Sequence, residues 1–299
     1  MSTSLDRSAF FYVNPVQRRR ARAAAPSNAK PLRTDAPGTR AEWFDVACCP
    51  PDIMRTVGSL GGYLASTSGL GLQVHQYMPA VIEAQVHGDP VQLSVVTEYP
   101  RTGTVTITVD AALDSSWELS LRIPGWSRGA TLSVNGVPVD LVPDARGYAV
   151  LDRRWSLGDV VELHIPVQPR LTAPHPAVDA VRGCLAIERG PVVYCLEKPQ
   201  LTEARLPGES VDLTAVEIVT DGQLTSEDRP DVLGGTTVVH AQGLIRSEDV
   251  WGMGWSSHGE IPAGVRRTTT LTAIPCAMWA NRGPSEMRVW VPVATAQAG

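Results

Sequence analysis

Apolar and polar side chains alternate along most of the chain from about residue 70 onward. In the segment 117–123, Trp, Leu and Ile alternate with Glu, Ser and Arg, and in 105–109 Val and Ile alternate with Thr. A period of two is typical of a strand with one buried face. The segments 132–139 and 161–165 repeat the pattern, and Asn135-Gly136 is a dipeptide that favours a tight hairpin. These segments predict a β-sandwich that extends to about Pro169.

A second group of strands is predicted after the proline-rich segment Pro169–Pro176, which we interpret as a domain boundary. The predicted strands are Leu185–Leu196, Val211–Thr220, Thr236–Ala241, Thr268–Pro275 and Met287–Val293. The connection between residues 244 and 268 is long, and a long loop in a compact domain is either functional or mobile. The pattern predicts a second β-sandwich.

One segment has the periodicity of a helix. Ile53, Val57, Leu60 and Leu64 are spaced by four, three and four residues, which predicts that they share one helical face. Pro51 suits the first turn of this helix. The chain offers the helix few partners, so we expect exposed apolar surface along residues 53–64.

The first 46 residues carry little regular pattern. Phe10-Phe11-Tyr12-Val13 is the one apolar run, and residues 16–40, rich in Arg, Ala and Pro, are predicted to form a loop. A globular domain seldom starts in this way. We therefore expect the chain to begin within a fold.

Composition narrows the class of protein. The 299 residues allow about two domains, and the net charge of -5 argues against a nucleic-acid binder. No run of apolar residues is long enough to predict a membrane span, and Arg18-Arg19-Arg20 is not followed by the apolar region of a signal peptide. Five cysteines, an odd count, favour a reduced, cytoplasmic protein.

The adjacent cysteines Cys48 and Cys49 are the main candidate for chemistry. They lie just before the predicted helix, where the dipole and unpaired backbone N–H groups favour a thiolate. A thiolate can act as a nucleophile or as a zinc ligand. For a bare Cys-Cys pair, two small buried apolar side chains would be the default interpretation.

Further motifs change that default. In chain order they are Phe11-Tyr12-Val13-Asn14-Pro15, Trp43-Phe44, Ala47-Cys48-Cys49-Pro50-Pro51, Leu60-Gly61-Gly62-Tyr63, Leu121-Arg122-Ile123-Pro124-Gly125-Trp126, Ile187-Glu188-Arg189-Gly190-Pro191 and Trp279-Ala280-Asn281-Arg282-Gly283. Their order along nearly the whole chain resembles the C-terminal part of glycoside hydrolase family 127, the β-L-arabinofuranosidases.

The resemblance implies a mainly β fold. Residues 1–66 would be the last helical piece of an (α/α)6 catalytic barrel, residues 67–169 a first β-sandwich and residues 170–299 a second. It also implies a retaining hydrolase of β-L-arabinofuranosides, with a carbohydrate as the partner, no nucleic acid or membrane partner, and a homodimer left open.

The resemblance further implies roles for three residues. Cys48 would be the nucleophile and a zinc ligand, Cys49 would be a second zinc ligand, and Tyr12 would line the sugar site. No Glu precedes Glu42 and no Cys precedes Cys48, so no acid/base carboxylate and only two of four zinc ligands are expected in this chain. We therefore expect residues 1–299 to be truncated and inactive alone.

Two alternatives stay open. A non-catalytic β-sandwich could bind carbohydrate through Trp251, Trp255 or Trp279. A cysteine hydrolase of another class would need a histidine near Cys48.

Among weaker candidates, Cys184, Cys195 and Cys276 could reach one zinc ion, although buried strand cysteines are the default interpretation. Glu188 is expected to form a local ion pair or a turn contact, and the histidines show no ligand spacing.

Overall fold

The computed structural model describes residues 2–19, 40–45, 48–199, 212–246 and 266–294. The chain divides into two compact units, one of residues 50–167 and one of residues 1–49 together with 168–299. The first strand, β1, is Gln17–Arg18. Over the described ranges, no helix is both long enough and apolar enough to cross a membrane.

The predicted helix is shorter than the sequence pattern indicated. The α-helix, α1, extends over Cys49–Gly58, and a 3-10 turn over Leu60–Tyr63 follows it. The prediction of one continuous helical face is wrong at its C-terminal end, because the glycines that begin at Gly58 lower helix propensity. Ile53 and Val57 are 37% and 65% exposed, as expected for a helix with few partners.

Residues 50–167 form two sheets around one core. The strands are β2 Ala65–Thr67, β3 Gly71–Val74, β4 Ala80–Val86, β5 Asp89–Thr97, β6 Thr104–Ala111, β7 Ser116–Arg122, β8 Thr131–Val134, β9 Val137–Val139, β10 Tyr148–Arg154 and β11 Val160–His164. One sheet has the order β10-β7-β3-β2 and the other β4-β5-β6-β11-β8-β9. Only β3 and β7 pair in parallel within these sheets as described. Alternate residues, among them Leu93, Ile107, Leu119 and Leu163, fill the shared core.

The Asn135-Gly136 hairpin is confirmed. Both residues have positive φ, 51° and 75°, and Val134 pairs with Val137. The twist of such a turn matches that of the flanking strands. The Asn135 amide also donates to Asp159 Oδ1 at 2.8 Å and accepts from the Val160 N–H at 2.8 Å, which ties the turn to β11.

The other unit is built on one large sheet. Its remaining strands are β12 Pro169–Thr172, β13 Cys184–Arg189, β14 Val192–Glu197, β15 Val216–Ile218, β16 Thr225–Arg229, β17 Thr236–Arg246, β18 Arg266–Pro275, β19 Met287–Arg288 and β20 Val291–Pro292. The main order is β1-β19-β14-β18-β17-β15, while β13 pairs with β12, β14 and β20, and β16 pairs with β17. The central strand β14 is buried on both faces, since Leu196 and Cys195 belong to two different core clusters.

The mainly β fold with sandwich-like units is thus confirmed. Residues 2–19 pack with the sheet of residues 168–299 through Phe11 and β1, and Arg40 donates to the Ala277 carbonyl at 3.2 Å. The division into 1–66, 67–169 and 170–299, and the helical barrel piece within it, stay predictions.

We expect Asn135→Ala to lower the free energy of unfolding of the 50–167 unit by about 1–3 kcal/mol, because alanine strains the positive φ and removes two hydrogen bonds. Urea unfolding followed by tryptophan fluorescence measures the change. Val137→Thr is the matched control, since Val137 is 64% exposed in the same hairpin. A loss for Asn135→Ala no larger than that of the control would contradict the account of the turn.

Candidate active site

Cys48 and Cys49 lie at the start of α1. Cys48 immediately precedes the helix and is exposed, whereas Cys49 is the first helical residue and is half-buried. Their sulfur atoms are 4.0 Å apart. The N-terminal end of a helix carries a partial positive charge, which stabilises negative charge on a nearby sulfur.

Tyr12 contacts this pair directly. Its hydroxyl lies 2.5 Å from Cys48 Sγ. Hydrogen bonds with the side chains of Cys48 and Cys49, in that order of size, raise the pKa of Tyr12 to about 12. The phenol is therefore protonated at neutral pH and can donate a hydrogen bond to an ionised Cys48.

A small aromatic cluster, formed by Phe10, Tyr12 and Phe44, holds the phenol in place. The Tyr12 and Phe44 ring centroids are 5.4 Å apart, those of Phe10 and Phe44 5.1 Å apart, and Cys49 packs against the cluster. The backbones of Phe10 and Ala41 exchange two hydrogen bonds of 3.0 and 3.1 Å. These bonds place the segment that carries Tyr12 beside the segment that leads to the cysteines.

The two sulfur atoms fit one half of a zinc site. Two thiolates on a tetrahedral zinc ion with Zn–S bonds of about 2.3 Å would lie about 3.8 Å apart. The observed separation of 4.0 Å agrees with this spacing. Within the described residues, no group of three or more His, Cys, Asp or Glu side chains could hold a metal ion. By its spacing, the pair could provide two of the four ligands of a tetrahedral zinc site.

The other cysteines do not form the three-thiol cluster considered from the sequence. Cys195 and Cys276 hydrogen-bond to each other, and this bond together with burial raises the pKa of Cys195 well above its usual range. Cys184 hydrogen-bonds to Arg288 instead. The default interpretation of buried or half-buried strand cysteines fits these contacts.

The remaining candidates have structural partners. Glu188 forms an ion pair with Arg170 across β12 and β13, 18 residues away and not local as expected, and accepts from Thr172 Oγ1 at 2.7 Å. His75 bridges Ser66 and Tyr148 at 2.8 and 2.7 Å. The hydrogen bonds of Glu188 and His75 given above do not involve a cysteine.

Trp279 is not available for sugar stacking. It is 0% exposed and stacks against Phe11, with ring centroids 4.6 Å apart and ring planes 5° from parallel. The hypothesis that Trp279 binds carbohydrate is therefore wrong, because both its face and its edge are packed inside the unit. Trp251 and Trp255 lie outside the described residues.

Sequence reasoning missed the contact between Tyr12 and Cys48. The two residues are 36 positions apart, and no local pattern links them. The sequence signal for the contact is the presence of aromatic residues in both segments, Phe10 and Tyr12 in one and Phe44 in the other. Large apolar rings tend to be buried together, and these three form one cluster.

Comparison with known proteins gives consistent matches over both units. The family model "Beta-L-arabinofuranosidase, GH127 middle domain" matches residues 71–167, and "Glycoside hydrolase family 127 C-terminal domain" matches residues 169–292. The chain is 31% identical over 296 residues to a non-reducing end β-L-arabinofuranosidase of Bifidobacterium longum subsp. longum, covering 96% of this chain and 42% of that protein.

Solved structures agree with these matches. A GH127 β-L-arabinofuranosidase from Geobacillus stearothermophilus T6 has a TM-score of 0.80 and 33% identity, covering 98% of this chain and 44% of that chain. A structure titled "Glycoside hydrolase" has a TM-score of 0.80 and 29% identity, covering 98% and 46%. The present chain thus spans less than half the length of these relatives.

We expect Tyr12 to ionise near pH 12, because its hydrogen bonds with the side chains of Cys48 and Cys49 raise the pKa of the phenol to about 12. The phenolate absorbance difference between the wild-type protein and Tyr12→Phe, recorded in rapid pH jumps before unfolding, measures this pKa. In Cys48→Ala the pKa should fall toward the ordinary value of about 10. Titration of Tyr12 near 10 in the wild-type protein would show that the contact with Cys48 does not persist in solution.

Proposed function

The chain belongs to glycoside hydrolase family 127, and we propose that it forms part of a retaining β-L-arabinofuranosidase in which Cys48 is the nucleophile. The observation that carries the proposal is the arrangement of an exposed thiol at a helix start with a phenol hydroxyl 2.5 Å from its sulfur. The family membership supports a carbohydrate as the substrate. Cysteine is a stronger nucleophile than an alcohol, and each feature of its surroundings favours the reactive thiolate.

The proposed reaction has two displacements. Cys48 Sγ attacks the anomeric carbon, so that a carbon–sulfur bond forms while the glycosidic carbon–oxygen bond breaks. Water then attacks the same carbon and releases one proton to solvent, the carbon–sulfur bond breaks, and its electron pair returns to Cys48 as thiolate. Two inversions give net retention, as in enzymes that use a carboxylate nucleophile. We assign no residue as the general acid that protonates the departing oxygen.

Tyr12 is proposed to act on the sulfur, in addition to its proposed place along the sugar site. Its protonated hydroxyl donates to the Cys48 thiolate before attack and again when the thiolate departs in the second step. The same bond fixes the direction of the sulfur lone pairs. A correctly oriented nucleophile lowers the barrier because less orientational freedom is lost on reaching the transition state.

Zinc is proposed as the cofactor, with Cys48 and Cys49 as two of its ligands. When bound to both sulfurs, zinc would keep them as thiolates at neutral pH. The support from this chain is the 4.0 Å separation of the two sulfur atoms. The remaining ligands are not assigned, and the inactivity of residues 1–299 alone, the homodimer and the cytoplasmic location stay predictions.

We expect Cys48→Ala, in the protein expressed from its complete gene, to lower kcat for an aryl β-L-arabinofuranoside by at least about 1,000-fold, because the covalent step is lost. Rapid quenching of the wild-type reaction should leave one pentosyl unit on the tryptic peptide of residues 41–55. Cys276→Ala is the matched control and should stay active. Full activity of Cys48→Ala would rule out the proposed nucleophile.

Zinc binding is checked separately by elemental analysis of the purified protein. We expect Cys49→Ala to lower the zinc content by at least about tenfold, because one of four bonds and its geometry are lost. Cys184→Ala should keep the wild-type zinc content, since Cys184 lies on another strand beside Arg288. Equal zinc content in both variants would remove Cys49 from the ligand set.

A further inference from the structure

Glu197 is a buried carboxylate that the proposed chemistry does not use. It is the last residue of β14 and is 0% exposed. Its Oε1 accepts the backbone N–H of Ala280 at 2.6 Å, and its Oε2 lies 3.3 Å from Arg282. Placing a charge in a core is costly unless the surrounding groups are fixed to satisfy it, so these partners indicate a rigid local arrangement.

The Glu197 carboxylate fixes the turn formed by residues 279–283. Ala280 has a φ of 56°, a left-handed conformation that strains a residue with a Cβ atom. The hydrogen bond from its N–H to Glu197 offsets this strain. The turn then presents Trp279 to Phe11, and the Asn281 side chain accepts the N–H of Leu5 at 3.1 Å. The buried Glu197 carboxylate thus stabilises the turn of residues 279–283, and this turn contacts the N-terminal segment at Leu5 and Phe11.

Phe11 and Tyr12 connect the Trp279 turn to the cysteines through their packing contacts. Phe11 packs in the same core cluster as Trp279, whereas Tyr12 packs in the aromatic cluster beside Cys49. Because the two side chains are adjacent along the backbone, fixing Phe11 limits where the Tyr12 hydroxyl can lie. That hydroxyl is the group in contact with Cys48.

Arg40, from the described segment 40–45, also contacts Phe11 and the residues around it. Its guanidinium lies 4.5 Å from the centre of the Phe11 ring and donates to the carbonyls of Ser2 and Ala277 at 3.3 and 3.2 Å. Burial lowers the pKa of Arg40, and the charge of Glu197 acts in the opposite direction. The carboxylate therefore also favours the charged form of the side chain that covers Phe11.

From these contacts we propose that Glu197 is a positioning residue for the Cys48 nucleophile, acting through the Trp279 turn, Phe11 and Tyr12. The proposal rests on the proposed function of Cys48. Glu197 does not touch the substrate. Its removal is expected to affect the alignment of the sulfur rather than the binding of the sugar, and a small misplacement of a catalytic group can lower a rate by about 100-fold.

The first test is kinetic and uses the protein expressed from its complete gene. Glu197→Ala should lower kcat, per folded molecule, by about tenfold or more while KM changes by less than about twofold. Glu197→Gln keeps a carbonyl oxygen for the Ala280 N–H and should recover most of kcat. A parallel rise in KM, or no rescue by glutamine, would overturn the proposal.

Glu217→Ala is the matched control for Glu197→Ala. Glu217 is also buried, at 5% exposed, and is ion-paired with Arg246 and Arg266 in the same unit. Its partners are on strands away from the N-terminal segment in the sheet order, so the variant should keep the wild-type kcat per folded molecule. A loss in Glu217→Ala equal to that in Glu197→Ala would indicate general destabilisation and overturn the specific role of Glu197.

The second test does not depend on activity. In Glu197→Ala, hydrogen exchange at the amides of Phe10 and Phe11 should accelerate by about tenfold or more, because their bonds to Ala41 and Ser2 are no longer held by the turn. Amides of β17 and β18 should exchange at the wild-type rate. Unchanged exchange at Phe10 and Phe11 would overturn the proposal.

Phe11→Leu provides a second variant if Glu197→Ala does not fold. It removes the stack on Trp279 but keeps an apolar side chain, and it should show the same kinetic and exchange changes. Inactivity of Cys48→Ala together with a wild-type-like Phe11→Leu would retain the proposed function and overturn the positioning role. An active Cys48→Ala variant would overturn the proposed function. The hydrogen-exchange measurement would then still test whether Glu197 positions the N-terminal segment.

Discussion

The candidate site depends on a stack of two buried rings, Phe11 and Trp279. The rings are nearly parallel and 4.6 Å apart, and they join residues 268 positions apart in sequence. An aromatic pair contributes about 0.5–1.5 kcal/mol beyond the area it buries, and both rings here are almost fully excluded from solvent. Within the described residues 2–19, the only named strand is β1, which has two residues, so the stack on Trp279 contributes to holding this segment in place.

The local pattern was sufficient to predict most strands, because a strand with one buried face has alternating apolar and polar residues. The 105–109 and 117–123 segments lie within β6 and at β7, and the Asn135-Gly136 turn has the positive φ values that its residue types allow. The helix was predicted too long because the apolar spacing continued past Gly58, while glycine lowers the free-energy gain of continuing the hydrogen-bond ladder. Periodicity reports which side chains can share a face, and it does not report where a helix ends.

The site itself was predictable only in part. Cys48 and Cys49 could be selected from their place before a helix, which is a local feature. Tyr12 could be placed near a sugar site only through the family resemblance, and its contact with sulfur came from the fold. Trp279 was misassigned as a surface ring because composition cannot distinguish a tryptophan that stacks on a ligand from one that stacks on Phe11. Contacts between distant segments depend on the whole topology, and no window of sequence contains them.

Burial distinguishes the proposed roles of the two adjacent thiols. Cys48 is exposed, so a sugar could approach its sulfur, while Cys49 is half-buried against the ring cluster of Phe10, Tyr12 and Phe44. A nucleophile needs an open approach along one direction, whereas a metal ligand needs a fixed position more than it needs access. The Tyr12 hydroxyl reinforces this difference, because it orients the exposed sulfur without covering it from solvent. The difference in exposure between the two thiols is therefore the physical reason why we propose Cys48 as the nucleophile and Cys49 as a zinc ligand that does not attack.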